Sequence, residues 1–597
     1  MSHGRKHPRR TVSRRTLLTA ALGATAVAAG GGVAVGAGRG GAARAAAAPD
    51  LGPNVSVFDP SMSAQDIQAR LDEVFASQEK NQFGTERFAL LFQPGTYQVD
   101  ANIGFFTQIA GLGLSPDDVT IEGAVHAEAD WFDGNATQNF WRCAENLSVT
   151  PAGGSDRWAV SQAAPYRRMH LRGSLALDDG GWSSGGFIAD SRIDDTVLPG
   201  GQQQWMTRNS ALGGWDGNGN WNMVFVGTGN PPGGDWPDAA YTRVDRTPVV
   251  REKPFLYVDG DGAWAVFVPA LRTDTSGTSW EGGDPEGDSI PLDDFLVAQP
   301  GATAADLNAA LADGRHLLFT PGVHHLDDTL RITRPDTVVL GLGLATLTPD
   351  DGVTALTADD VDGVKIAGIL VDAGTTESAA LAVIGTEGAS ADHSANPTSL
   401  HDVFFRVGGG SAAKARQSLV VNSRHVIGDH LWIWRADHDK DGGGLTGWTT
   451  NPAAEGLIVN GDDVTMYGLF VEHYQQYQVR WNGERGRTYF FQNEMPYDPP
   501  DQAAWMNGDT LGYAAYKVAD GVGSHEAWGL GSYCFFSANP DVVAERSFEV
   551  PDTADVRLHH LVILTLGGAG TINHVVNDTG GPVNPDSMSA RVTDYPG

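Results

Sequence analysis

LLFQPGTYQV at 90–99 and LLFTPGVHHL at 317–326 are one phrase written twice. Upstream of the first, Ser63-Ala-Gln-Asp66 opens a helical pattern with Ile67 and Leu71 on one face. Upstream of the second, Thr303-Ala-Ala-Asp306 opens another with Leu307 and Leu311. Both starts resemble a capping box, a hydroxyl accepting from the third backbone N–H, with aspartate in place of the usual glutamate. Downstream of each phrase comes Gly-Leu-Gly-Leu, at 111–114 and 341–344. Three landmarks in the same order, offset by 240, 227 and 230 residues, mark two homologous modules.

Within each module the short runs read as strands. VTIEG, VKIAGILVDAG, LVVNSRHVIGDHLWIWRADH, LIVNGDDVTMYGLFVEHY and RTYFFQNE are punctuated by Gly, Asn and Asp. They recur every 20 to 40 residues or so, too far apart for hairpins throughout and without the helices that βαβ crossovers need. The expected fold is therefore all-β: two tandem right-handed parallel β-helix modules of the pectate-lyase-like kind, at 49–290 and 291–597. A short capping helix opens each module and shields core and strand edges. A jelly roll or β-sandwich is the alternative.

The first 48 residues stand apart. Ser13-Arg14-Arg15-Thr16-Leu17-Leu18 is a twin-arginine pattern, followed by an Ala/Gly-rich run and Ala45-Ala46-Ala47-Ala48. That order predicts a cleaved export signal, a secreted protein and no membrane anchor after cleavage. Beyond residue 48 there are 32 basic and 73 acidic residues, a net charge of −41. So acidic a surface repels phosphate backbones, which excludes nucleic acid as an expected partner and favours a neutral or cationic one. The two cysteines, Cys143 and Cys534, cannot form a framework; one bridge or two free thiols are both open.

The chemistry centres on FVEHYQQYQVRWNGERGRTYFFQNEMPYDPP, residues 470–500. Glu472 and Glu494 each end a strand-like run and lie 22 residues apart, one plausible coil. Residues one coil apart stack at the strand spacing of about 4.8 Å. Carboxylates that close repel, so one keeps its proton and becomes a general acid beside an ionised partner, the pairing that cleaves glycosidic bonds. Tyr474, Tyr477, Trp481, Tyr489, Phe490, Phe491 and Tyr497 are expected to crowd both groups, desolvating them and offering faces to a sugar.

Residues 460–500 resemble the catalytic region of glycoside hydrolase family 55, β-1,3-glucanases with two tandem β-helices. The likeness includes WAVSQAAPYRRMHL at 158–171, GGWSSGGFIADSRID at 180–194 and QQQWMTRNSALGGW at 202–215. The resemblance implies inverting, exo-acting hydrolysis of β-1,3-glucan. By position it makes Glu494 the general acid and Glu472 the carboxylate assisting the attacking water. Gln162 and Ser184, with Ser183 the neighbouring option, would position that water from the first module. The geometry carries a tension, since inverting pairs stand about 6.5–9.5 Å apart and retaining pairs about 5–5.5 Å.

Asp437-His-Asp439-Lys-Asp441-Gly442 matches half of a calcium loop, but its twelfth position is Trp448. The better reading is a polar rim, with Asp437, His438 and Trp448 contacting sugar beside Tyr474, Tyr497 and Trp205. No metal or cofactor is expected, and a monomer is. Two other functions compete: a β-helix polysaccharide lyase, which the acidic charge disfavours, and a non-catalytic carbohydrate-binding solenoid, which would not need both glutamates.

Overall fold

The computed structural model describes residues 49–597 apart from residue 218; the export-signal expectation falls on 1–48, outside the described residues. The chain is all-β and mostly parallel. In the first half, nine strands from Val55–Phe58 to Tyr241–Val244 follow one another in chain order along one parallel sheet, and a second sheet runs beside it. Residues 255–291 form a three-stranded antiparallel sheet. In the second half a twelve-stranded sheet begins at Phe295–Ala298, and a nine-stranded parallel sheet lies beside it. Among the described residues, Ser589–Tyr595 is the one antiparallel partner in the larger sheet and pairs with Val556–Thr565 at its end.

Strand alternation sorts each rung into two faces. In Ile427–Arg435, Leu431 and Ile433 enter the second half's core while Trp432 and Trp434 point to the other side. In Thr465–Glu472, Leu469 and Val471 go inward and Phe470 outward. The two helices, Ala64–Gln78 and Ala304–Ala312, start where the hydroxyls of Ser63 and Thr303 accept from the N–H of Asp66 and Asp306. Ile67 and Leu71 join one core, Leu307 and Leu311 the other. Cys143 and Cys534 are buried free thiols.

The outward faces of both halves meet in a third core. Phe140 and Trp141 pack there against Trp432, Trp434 and Phe470. A column of left-handed residues runs along this contact: Asp402, His430, Gly468, Phe490, Gly529 and His560, each with φ between 49° and 69°. These residues drop out of the otherwise continuous register of their strands. Two of them must be glycine. A Cβ on Gly468 would lie 2.8 Å from the Phe187 ring, and one on Gly529 would lie 2.4 Å from Val224. The halves dock at these bends.

Buried ion pairs fasten the same contact. Arg167 reaches Asp402 and Asp429, each at 2.8 Å, and Arg208 joins Asp429 at 2.9 Å and Glu252 at 2.8 Å. Lys253 contacts Asp402 at 3.1 Å and Glu145. Buried pairs offset each other's desolvation, so stripping one partner leaves an uncompensated charge and costs about 3–5 kcal/mol.

Candidate active site

Register places the two glutamates together. Trp434 pairs with Glu472, Phe470 pairs with Gln492, and Glu494 pairs with Tyr533. Two residues beyond Phe470 and Gln492 stand Glu472 and Glu494, on neighbouring rungs of one strand-end column. The backbone N–H of His473 donates to the Glu494 carbonyl at 2.8 Å, holding the two ends side by side.

Both side chains line a pocket of about 200 Å³, the scale of a single sugar ring. From the first half come Phe140, Gln162 and Ser184; from the second come Trp432, Trp434, Asp437, His438, His473 and Tyr497. Glu472 is gripped from both halves. Gln162 Nε2 donates to its Oε1 at 3.0 Å, and Trp432 Nε1 donates to its Oε2 at 2.7 Å. The Oε1 of Gln162 is buried without a protein partner. Ser184 is tied to the same segment, because its N–H donates to Ser161 Oγ at 2.9 Å. Gln204 Nε2 donates to the Ser184 carbonyl at 2.7 Å, and the Tyr533 hydroxyl donates in turn to Gln204.

Burial pushes both glutamates above the ordinary carboxylate range; the charge of Glu494 adds to the push on Glu472. The upward push is larger for Glu472, yet its hydrogen bonds favour the opposite assignment. An indole N–H can only donate, so the Trp432 contact stabilises an ionised Glu472. The partner of Glu494 is the Tyr497 hydroxyl, which can accept from a protonated acid as readily as donate. These contacts favour an ionised Glu472 and leave Glu494 able to carry a proton. The part-buried side chain of Asp437 is held well below the usual carboxylate range by His438 and His473. Its Oδ1 is 3.0 Å from His438 Nδ1 and accepts from Trp434 Nε1 at 3.2 Å.

Of the residues expected at the site, Glu472, Glu494, Gln162, Ser184, Asp437, His438 and Tyr497 line this pocket. Ser183, the neighbouring option, does not. Three others need correction. Tyr474 follows His473, whose left-handed φ of 67° turns the chain inward, and its ring fills the second half's core with its hydroxyl on Ser418. Trp205 lies on the inward face of its strand, fully buried in the first core. Trp448 packs against the second core beneath the Arg435 guanidinium, 5.9 Å from its ring. The crowd of aromatics around the glutamates is likewise mostly core: of the seven, Tyr497 alone reaches the pocket. Phe140, Trp432 and Trp434 take that place. The Trp-x-Trp of 432–434 shares a face and ends in register with Glu472, a signal the sequence carries. Among the described residues no cluster of His, Cys, Asp or Glu is arranged to hold a metal ion.

An all-β, mostly parallel body with two carboxylates at neighbouring strand ends, Glu472 buried and Glu494 half-buried, in a sugar-sized, tryptophan-walled pocket is the arrangement of a glycoside hydrolase. Comparison with known proteins narrows this. The LAM55 pectate lyase-like domain matches residues 295–494. An exo-beta-1,3-glucanase of Streptomyces sp. (strain SirexAA-E / ActE) is 58% identical over 551 residues, covering 92% of this chain and 90% of that protein. The structure of sacteLam55A from Streptomyces sp. SirexAA-E superposes with a TM-score of 0.89 at 57% identity, covering 92% of this chain and 99% of that one. A glutamate-to-alanine variant of the same protein in complex with glucose gives 0.90 at the same identity and coverage. The chain belongs to glycoside hydrolase family 55.

Proposed function

We propose that this chain is a secreted exo-β-1,3-glucanase that removes glucose from the chain end with inversion. The observation that carries the reading is the pair Glu472 and Glu494 on adjacent rungs of one pocket, met by Gln162 from the other half of the chain. Glu494 protonates the glycosidic oxygen as the C1–O bond breaks. Water attacks C1 from the opposite face with one lone pair and gives one proton to Glu472, while Gln162 Oε1 accepts its other hydrogen and the Ser184 hydroxyl donates to its second lone pair. Because Glu472 acts on water and not on carbon, the product is inverted. A pocket of about 200 Å³ takes a terminal unit and not a chain interior, which supports exo action. The relative of 58% identity named exo-beta-1,3-glucanase supports the same substrate.

The architecture behind this reading is two tandem right-handed β-helix modules, 49–290 and 291–597, each opened by a capping helix, working as a monomer. The second module supplies acid and base, and the first closes the pocket. Residues 1–48 export the chain through the twin-arginine route. The test is purified protein on laminarin: glucose as the sole early product supports the reading, and a ladder of longer oligosaccharides, or no release of reducing sugar, overturns it.

A further inference from the structure

We propose that His430 is a positioning residue: it fixes the Gln162 backbone so that the side-chain amide meets Glu472. This deepens the functional reading above and rests on it for its kinetic consequence. Gln162 is itself in an unusual conformation, with φ of 34°, where non-glycine residues are strained. Something must hold it there. Its carbonyl accepts from Ala164 N–H at 2.9 Å, closing a tight turn, and from His430 Nε2, also at 2.9 Å.

The ring that makes this contact is held on every side. Its Nδ1 lies 2.9 Å from Asp402 Oδ1, and Asp402 is anchored by Arg167 and Lys253. Phe187 stacks on it at 4.5 Å with planes 2° apart, and Phe404 and Phe470 meet it edge-on. A carbonyl can only accept, so Nε2 donates to Gln162. His430 sits at its own left-handed bend, φ of 68°, which turns its side chain out of the second core toward the first half. It touches neither pocket nor Glu472. The path runs from the buried ion cluster through one ring to one carbonyl, and through that residue's amide to the carboxylate that takes the water's proton.

The experiment is a double-mutant cycle of His430→Asn and Gln162→Ala on laminari-oligosaccharides, with crystal structures of His430→Asn and His430→Gln. Asparagine tolerates a left-handed backbone and keeps a polar group near Asp402, but its amide is too short to reach Gln162. Glutamine restores that reach. His430→Asn should lower kcat on the order of 100-fold with KM changed by less than about threefold, and His430→Gln should recover most of it. In the Gln162→Ala background, His430→Asn should change kcat by less than about twofold, since the amide it positions is gone. The crystal structure of His430→Asn should show the Gln162 amide turned off Glu472. An equal loss in both backgrounds, or a Gln162 unmoved in that crystal structure, overturns the proposal. A wild-type chain inactive on laminarin would instead sink the functional reading, and the Gln162 position would still decide this one.

Discussion

Gln162 donates to Glu472 at 3.0 Å across 310 residues of chain. No local sequence feature demands that contact; it exists because two stacks of parallel strands dock face to face. A group held this way orients and adds no chemistry of its own. Gln162→Ala should therefore reduce kcat on the order of 100-fold while KM moves little, as expected when an orienting contact is lost. Steady-state kinetics on laminaritriose decides it, and a purely KM effect contradicts the role.

Glu494 is assigned the proton, and an acid is dispensable when the leaving group needs none. Glu494→Gln should lose about 10³-fold on laminari-oligosaccharides, within the usual range for a general acid. The same variant should keep much of its rate on an aryl β-glucoside whose phenolate leaves unaided. Equal losses on both substrates would remove Glu494 from that role.

The pH profile follows from burial. Glu472 and Glu494 both titrate above the ordinary glutamate range. The proposed mechanism needs Glu494 protonated and Glu472 ionised, so both limbs of kcat/KM should move to higher pH than ordinary carboxylates would give. Glu472→Gln should abolish the acid limb in whatever activity remains. An unchanged acid limb in that variant assigns it elsewhere.

The same shifts cost stability. A carboxyl with a raised folded value binds its proton more tightly folded than unfolded. Stability is then greatest below the unfolded value and falls as pH rises through the folded one. At pH 7 the folded chain bears this cost, so Glu472→Gln or Glu494→Gln should raise the Tm, an increase that fades at pH 4. The buried network runs in the opposite sense: Arg208 and Arg272 hold Glu252 down at about 2. Its contribution is complete above the unfolded value and is lost as pH falls from about 4.5 towards 2. Thermal melts across pH 2–8 separate the two effects by sign.

Docking at left-handed bends makes glycine critical at 468 as at 529. Gly468→Ala would bring a Cβ to 2.8 Å from Phe187 at φ of 60°. A cost of about 1–3 kcal/mol is expected from strain and overpacking. Denaturant melts measure it, and a neutral substitution would contradict the close approach.

Much of the fold is legible in the sequence, and one limit has a clear cause. The repeated LLFxPG phrase, the helix starts at Ser63 and Thr303, and the punctuated strand runs announce stacked parallel strands with few helices. The 22-residue spacing of Glu472 and Glu494 announces neighbouring rungs. The misplacement of Tyr474 comes from parity. Alternation assigns a side chain to a face only while the backbone stays extended, and a left-handed residue reverses it. Glycine marks such a bend at 468, but His430, His473 and Phe490 adopt it without any sequence sign. Tyr474 therefore points inward, while Trp432 and Trp434, on an unbroken stretch, look into the pocket.

In the proposed mechanism Glu472 acts on water while Glu494 supplies the proton, which sets the anomer released. Proton NMR of the first glucose released from laminaritetraose tests it most directly. The α-anomer should appear first, before mutarotation mixes the signals. Initial release of the β-anomer would mean that a carboxylate attacks carbon, and would contradict the account.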